Sequence, residues 1–413
     1  MFRRLVCSLL PFFICFSPSL VNSVLNDQFY GTPNSTLGVE IQRVFPPEMF
    51  AAAFGEIHDL QYLLRNRWRM PRDGVDVRDW VGQTPLHLAA KFGKMATAQY
   101  LVQLGANVNA RNDDFDETPL HLAAKSGYAD MVKLLLRYGA DADAAIVLKS
   151  FHFEGGTPMT YGIDTANSLD VVKALVEEGG ASVTKPNLDG STPMHLAVSH
   201  QNLEMAKYFL ARGANVNVRD MQERTPLNYL LNKGYVIQLP MIAFLIKNGA
   251  DVEAQDRVGR TPLQNAVIFS HNPIVDFLLQ NGANINSRGT SGRTVLHRVV
   301  ALQKIRSIDT VKFLLERGAD PRLGTPDFCD LPLHDLADVP RDEYEQFTDT
   351  ILTIARYLID YGADPNYIEP CSATSAIDIA MNNNYISLVE VMLHPKVAAL
   401  GLPFSKSFLV LFK

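Results

Sequence analysis

One short phrase recurs along this chain at nearly regular intervals, and its period restricts the fold more than any other feature. "GQTPLHLAA" spans residues 82–90, and "DETPLHLAA" spans residues 116–124. Successive threonines of the phrase are separated by 34, 39, 35, 33, 36 and 33 residues, at Thr84, Thr118, Thr157, Thr192, Thr225, Thr261 and Thr294. Weaker copies begin at Leu331 and Thr374. A fixed period of this length indicates an array of small units, each packed against its neighbours.

Each period predicts two helices and a hairpin. Threonine is a helix N-cap, and proline suits the first helical position because its missing N–H is not needed there. The small apolar residues that follow end at a glycine such as Gly93. A second apolar run at helical spacing, such as residues 131–138, then ends at Gly139. The rest of the period consists of turn-forming phrases such as "NGADVEA", which predict a protruding hairpin.

These motifs resemble those of the ankyrin-repeat family, whose unit of about 33 residues carries T-P-L-H-x-A. The resemblance covers roughly residues 41–393 and implies an all-α fold, an ankyrin-repeat solenoid of stacked helix-turn-helix units with hairpin loops. The chain departs from the pattern at Val295, which replaces the proline, in "TPMTYGI" after Thr157, and in the ninth unit. The recurring histidine of the phrase is predicted to have a structural role, bonding backbone near the turn: His87, His121, His195, His297 and His334.

The predicted organisation has five parts: a signal peptide (1–23), a linker (24–40), an atypical N-terminal capping repeat (41–78), ankyrin repeats (79–395) and a C-terminal tail (396–413). Residues 50–67 show helix-turn-helix patterning without the threonine-proline phrase. The last thirteen residues, 401–413, are apolar but too short to span a bilayer. A capping helix is the favoured reading of this tail, and association with a membrane surface is the alternative.

The first residues have the pattern of a secretory signal peptide. Arg3 and Arg4 precede an apolar run at residues 5–16, and cleavage after Ser23 fits the small polar residues that follow. The prediction is an exported protein, whether secreted, periplasmic or delivered to a host. The alternatives are an apolar extension of a cytoplasmic protein or an internal start at Met49.

Two cysteines, Cys329 and Cys371, remain beyond the predicted leader, in hairpins of adjacent units. A disulfide between them is conceivable, and free thiols are the favoured alternative because stacked hairpin tips can exceed the Cα separation that a disulfide allows.

No catalytic motif stands out, so the sequence predicts a protein that is not an enzyme and holds no cofactor or metal. The chain has no histidine pair at i, i+4, no C-x-x-C, no G-x-S-x-G and no phosphate-binding loop. The alternative rests on an acidic insertion at residues 335–351 or on the irregular segment 144–156. The carboxylates of the insertion suit acid–base work or cation binding: Asp338, Asp342, Glu343, Glu345 and Asp349. A solvated acidic loop is the favoured interpretation of the insertion.

The expected partner is a protein. The net charge of −6 and the absence of a long basic run argue against nucleic acid, although a small basic patch is not excluded. Repeat arrays bind partners on their hairpins and first helices, which would form the concave face. Apolar residues precede the threonine in six units, and two aromatic residues follow first helices: Trp80, Val81, Phe115, Phe153, Leu188, Met221 and Val258, with Phe92 and Phe269.

An apolar row of this kind predicts a partner-binding site, unless each side chain folds back over its neighbouring hairpin. The predicted function is a non-catalytic protein–protein interaction scaffold, exported and directed at a host by a bacterium. The alternative is an ordinary intracellular ankyrin adaptor. Membrane association is not expected.

Overall fold

The computed structural model describes residues 47–55, 57–65, 74–146, 156–163, 165, 168–233, 238–268, 272–301, 307–325, 330–368 and 373–399. These residues form α-helices, short turns and one 3-10 helix, with no β-strand among them, so the all-α prediction is confirmed. The predicted leader, linker and last fourteen residues lie outside the described part of the chain, as do four singled-out side chains: Phe153, Phe269, Cys329 and Cys371.

The helices occur in pairs. The first ten are α1 (Pro47–Phe54), α2 (Ile57–Arg65), α3 (Pro85–Lys91), α4 (Met95–Gln103), α5 (Pro119–Lys125), α6 (Ala129–Arg137), α7 (Pro158–Ile163), α8 (Ser168–Glu177), α9 (Pro193–Ser199) and α10 (Leu203–Ala211). The others are α11 (Pro226–Leu231), α12 (Leu239–Lys247), α13 (Pro262–Ile268), α14 (Asn272–Gln280), α15 (Val295–Ala301), α16 (Ser307–Glu316), α17 (Pro332–Ala337), α18 (Arg341–Asp360), α19 (Ala376–Asn382) and α20 (Ile386–Ala399).

The chain divides into two compact units, residues 1–200 with 207–214, and residues 201–206 with 215–413. Within the first unit, the first helices of successive pairs pack side by side in the order α1, α3, α5, α7 and α9. Within the second unit, α11, α13, α15, α17 and α19 do the same. Small side chains permit the close approach of these helices: Ala89, Ala90, Ala123 and Ala124 are fully buried.

The threonine-proline phrase starts helices as the sequence predicts. The Thr84 N–H donates to His87 Nδ1 at 3.0 Å, and the Thr84 hydroxyl lies 2.8 Å from the same nitrogen. The proton of His87 is therefore on Nε2, which donates to the Glu117 carbonyl at 3.1 Å. The buried imidazole thus ties the start of α3 to the next hairpin, which confirms the structural role of this histidine.

Other units repeat the arrangement. The imidazole of His297 accepts from the Thr294 N–H at 3.1 Å and donates to the Asp330 carbonyl at 2.9 Å. Burial lowers the pKa of three of these histidines to about 4, so all three are neutral at physiological pH: His87, His121 and His297.

The acidic insertion is mainly helical, so the prediction of a solvated loop is wrong. Helix α18 begins at Arg341 and continues through Asp360, with a kink at Phe347 where φ is −120°. Apolar side chains on this segment explain the helix, because Ile351 is fully buried and the Tyr344 ring stacks on Tyr385 with centroids 3.8 Å apart.

The first helix of the ninth unit also begins at a capping residue, but this residue lies one position later than the recurring phrase predicts. Ser375, not Thr374, is the N-cap of α19, and its hydroxyl accepts from the Asp378 N–H at 3.2 Å. In return the Ser375 N–H donates to the Asp378 carboxylate at 2.9 Å. Asp378 therefore takes the place of the histidine in a capping box, and the phrase is lost while its hydrogen bonds remain.

Candidate protein-binding surface

A buried aspartate or asparagine at the base of several hairpins holds the tip in place. Asp79 Oδ1 accepts from the N–H groups of Val81 and Gln83 at 3.0 and 2.8 Å. The same pair of bonds recurs at the bases of the later hairpins that begin at Asp220 and Asp256. Burial raises the pKa of Asp79 to about 6, even though both bonds favour its charged form. These bonds fix the direction in which each tip side chain points.

Successive hairpins also contact each other directly. In the first unit the Asp113 N–H donates to the Val81 carbonyl at 2.9 Å, and in the second unit the Arg257 N–H donates to the Gln222 carbonyl at 2.8 Å. Glycine is required at one point of this contact. Gly259 has φ +74°, and a Cβ there would lie 2.0 Å from the Thr290 nitrogen. Hydrogen bonds between neighbouring hairpins therefore hold the backbone of the tips in place.

The apolar tip residues are partly exposed to solvent. Five of them are between 41 and 61 % exposed, which does not support the alternative that they fold back over their neighbours: Trp80, Phe115, Leu188, Met221 and Val258. The structure thus brings Trp80 and Phe115 onto bonded neighbouring hairpins of the first unit, and Met221 and Val258 onto bonded hairpins of the second unit. Their role in binding stays a prediction.

The remaining predicted site residues differ from these five. Val81 is half-buried beside Trp80, and its carbonyl accepts a hydrogen bond from the next hairpin. Phe92 packs against a buried cluster formed by Met49, Ala52 and Leu88, so its ring contributes to the core at the start of the first unit. Sequence spacing places Phe92 after a first helix but does not show that α1 covers it.

Charge on the hairpins is a feature that whole-chain composition conceals. In the second unit, residues 219–224, 255–260 and 288–293 contain six arginines and three carboxylates: Arg219, Arg224, Arg257, Arg260, Arg288 and Arg293, with Asp220, Glu223 and Asp256. In the first unit, residues 78–83, 111–117 and 185–191 contain three basic and six acidic residues: Arg78, Arg111 and Lys185, with Asp79, Asp113, Asp114, Asp116, Glu117 and Asp189. These three hairpins of the second unit therefore carry an excess of positive charge, and these three of the first unit carry an excess of negative charge.

A helix of the second unit carries a further arginine close to the hairpins. Arg298, on α15, is half-buried, and burial together with the positive charges of Arg260 and Arg293 lowers its pKa, while the Asp256 carboxylate opposes this shift. Comparing the residue after the recurring histidine would have found it, because this position is Leu88 or Leu122 in the first unit and Arg298 here.

The part of the chain that the structure describes holds neither a cluster of metal ligands nor a helix that could span a membrane. No three histidine, cysteine or acidic residues there are grouped as metal ligands would be. Two carboxylates of the acidic insertion are engaged by arginines, Asp335 by Arg293 and Glu345 by Arg341, with closest distances of 3.0 Å in both pairs. None of the described helices is long and apolar enough to cross a membrane.

Comparison with known proteins agrees with the fold. The family model for ankyrin repeats matches residues 48–146, 112–187, 160–256 and 233–324, which together cover more than half of the chain. The chain therefore belongs to the ankyrin-repeat family and contains the protein–protein interaction scaffold that this family provides. Ankyrin repeats are generally non-catalytic interaction modules.

Three relatives illustrate the range of the family. The chain is 32% identical over 150 residues to the putative ankyrin repeat protein FPV230 of Fowlpox virus, covering 35% of this chain and 72% of that protein. It is 30% identical over 173 residues to human Rabankyrin-5, and 31% identical over 178 residues to the nuclear factor NF-kappa-B p105 subunit of Gallus gallus. These two matches cover 41% and 43% of this chain but only 14% and 17% of those proteins.

Proposed function

We propose that the exposed hairpin tips are the surface through which this scaffold binds its protein partner. The observation that carries the proposal is the combination of large apolar tips with rigid bases. Ordering a flexible loop on binding costs free energy, and hairpins whose backbone is already held by hydrogen bonds avoid part of that cost. Buried aromatic anchors are the residue type that contributes most to protein–protein affinity, so Trp80 and Phe115 are the leading candidates.

The test compares two double variants of the full chain. A partner is first isolated by cross-linking in the cells or host where the protein acts, and its affinity is then measured with purified components. Trp80→Ala with Phe115→Ala should weaken binding by about 2 kcal/mol or more. Leu104→Ala with Tyr138→Ala removes equally exposed side chains that lie at the ends of α4 and α6, and should leave affinity unchanged. Equal effects of the two double variants would refute the proposal.

We also propose that the protein is exported from a bacterial cell and acts on a host. The support is the basic start, the apolar run at residues 5–16 and the small polar residues before Val24. N-terminal sequencing of the chain purified from fractionated native cells should find Val24 as the first residue, outside the cytoplasm. An intact Met1 in the cytoplasmic fraction would instead favour the intracellular adaptor.

A further inference from the structure

A cavity of about 340 Å³ lies in the first unit at the turns between paired helices. Its borders come from the starts of three successive second helices: Met95 on α4, Tyr128 and Asp130 at α6, and Asp170 on α8. A volume of this size is at the lower end of the range for small-ligand sites and accommodates one long side chain. In each pair the hairpin lies before the first helix and the turn lies after it. The cavity is therefore at the opposite end of the first helices from the hairpin tips.

The ring of Tyr128 forms one wall of the cavity. It packs over Gly93, which has φ +66° and where a Cβ would lie only 2.9 Å from Tyr128 Cζ. A side chain at position 93 would therefore displace the ring. The Tyr128 side chain is 42 % exposed, and no cation among the described residues lies over its ring. The Tyr161 ring differs, because the Lys125 ammonium lies 5.2 Å from its centroid. Tyr128 thus offers an open aromatic face, which attracts cations.

Two exposed carboxylates border the same cavity, and within the described part of the chain neither forms an ion pair. Asp130 and Asp170 lie in the first turns of α6 and α8, which pack against each other. Lys133, one turn along α6 from Asp130, pairs instead with Glu178 at 3.9 Å. Each helix start contributes about half a positive charge, so two carboxylates and two helix starts leave roughly one negative charge at the cavity.

These features favour a planar cation on an apolar stem. A guanidinium can lie flat on the Tyr128 ring while its N–H groups donate to the carboxylates beside it. Its methylene stem can pack against the exposed Met95 side chain. A compact ammonium lacks the planar surface, and a neutral or anionic side chain gains neither contact. The chemistry of the cavity therefore matches arginine.

We propose that this cavity binds an arginine side chain from a basic segment of a protein partner. The cavity supplies a contact beyond the hairpin tips, at the other end of the first helices. Its affinity for arginine is a property of the first unit alone, whereas the assignment of that arginine to a protein partner rests on the proposed scaffold function.

The first test records methyl NMR spectra of the full chain, with ¹³C-labelled methionine, while N-acetyl-arginine amide is added. The signals of Met95 and Met131, which both border the cavity, should shift and saturate, whereas that of Met221 in the second unit should not. N-acetyl-citrulline amide has nearly the same shape without the charge and should cause no shift. N-acetyl-lysine amide should bind more weakly than the arginine compound.

Variants assign the binding to particular side chains. Asp130→Asn with Asp170→Asn should weaken binding of the arginine compound about tenfold or more, because both charge-assisted contacts are lost. Tyr128→Leu should weaken it about threefold by removing the aromatic face. Asp113→Asn with Asp114→Asn changes the net charge equally on an exposed hairpin of the same unit, and should leave binding unchanged.

The site is refuted if the arginine and citrulline compounds cause equal shifts, or if the lysine compound binds more tightly than arginine. Unchanged arginine affinity in the double asparagine variant with native circular dichroism would also refute it. The same variant should lower affinity for the isolated native partner, and unchanged affinity would overturn the assignment to that partner. Trp80→Ala with Phe115→Ala should leave the arginine-induced shift of Met95 intact, so the tip proposal and the cavity proposal fail separately.

Discussion

The two units of this protein share a backbone plan but differ in the chemistry placed on it. In both, a buried aspartate holds the hairpin tip and a tip-to-tip hydrogen bond joins neighbouring hairpins. In the first unit the slot that reaches the next hairpin contains histidine, and the tips are aromatic and acidic. In the second unit Asn228 and Gln264 occupy that position in two repeats and His297 keeps the histidine in the next, while the tips Met221 and Val258 are aliphatic.

The amides of the second unit show what is required of the side chain three residues after the helix N-cap. Asn228 Nδ2 donates to the Ala254 carbonyl at 2.6 Å, and Gln264 Nε2 donates to the carbonyls of Ser287 and Arg293 at 3.1 Å each. The neutral imidazole of His87 makes the same kind of bond to Glu117. A donor to the next hairpin is therefore the common requirement, and the neighbouring positions are free to diverge for binding.

The largest expected effect concerns the hairpin framework that both units share. Gly259→Ala forces a positive φ on alanine and places its Cβ against the Thr290 backbone, so we expect a loss of about 3 kcal/mol in the free energy of unfolding. Gly249→Ala is the matched control, because Gly249 also has positive φ but no atom lies within 4 Å of its Cβ position. Urea unfolding should show a loss of about 1 kcal/mol for the control. Equal losses in the two variants would mean that the close contact between Gly259 and Thr290 adds nothing to the cost of the substitution.

The second prediction is that acid destabilises the first unit more than the second. Unfolded histidine has a pKa near 6.5, so each histidine with a folded pKa of about 4 loses stabilising free energy as pH falls below 6.5, by about 2 kcal/mol at pH 5. Asp79 and Asp335 act in the opposite direction, because burial raises their pKa to about 6 and protonation below that pH favours the folded state by about 1 kcal/mol each at pH 5.

The net effect of protonating these histidines and aspartates differs between the two units. The first unit has two such histidines and one aspartate, so its free energy of unfolding should fall by about 3 kcal/mol at pH 5. The second unit has one such histidine and one aspartate, so its free energy of unfolding should fall by about 1 kcal/mol. Hydrogen exchange at pH 7 and pH 5, corrected for intrinsic rates, resolves the two units. His87→Asn, which copies the residue at position 228, should reduce the acid sensitivity of the first unit. A second unit that loses more protection than the first would contradict the assignment.

Much of this framework could be predicted from the sequence, because it follows from local rules. Thr84, Pro85 and His87 specify a helix start by hydrogen bonding within four residues, and the period repeats the instruction. The loop predicted at residues 335–351 is wrong from Arg341 onward, because the stacking of Tyr344 on Tyr385 joins residues far apart in the chain. The ion pair between Arg293 and Asp335 could not be predicted for the same reason, since these residues meet only through packing of neighbouring repeats.

A third prediction tests whether the positive φ of a residue other than glycine destabilises its hairpin. Glu223 adopts φ +57° at the position that Gly259 occupies one hairpin later. Glu223→Gly should therefore raise the free energy of unfolding by about 0.5–1 kcal/mol, measured by urea unfolding. Glu223→Ala keeps the strained φ and should give no gain. A gain of equal size in both variants would show that the glutamate charge, rather than its backbone conformation, destabilises this hairpin.

The central claim is that a protein partner covers the hairpin tips, and hydroxyl-radical footprinting of the complex tests it most directly. The tips offer oxidisable side chains at Trp80, Phe115 and Met221, while Met95 and Tyr138 are exposed elsewhere and serve as internal references. The account predicts that partner binding lowers oxidation of Trp80 and Phe115 and leaves the references unchanged. Protection of Met95 and Tyr138, with Trp80 and Phe115 as reactive as in the free protein, would contradict it.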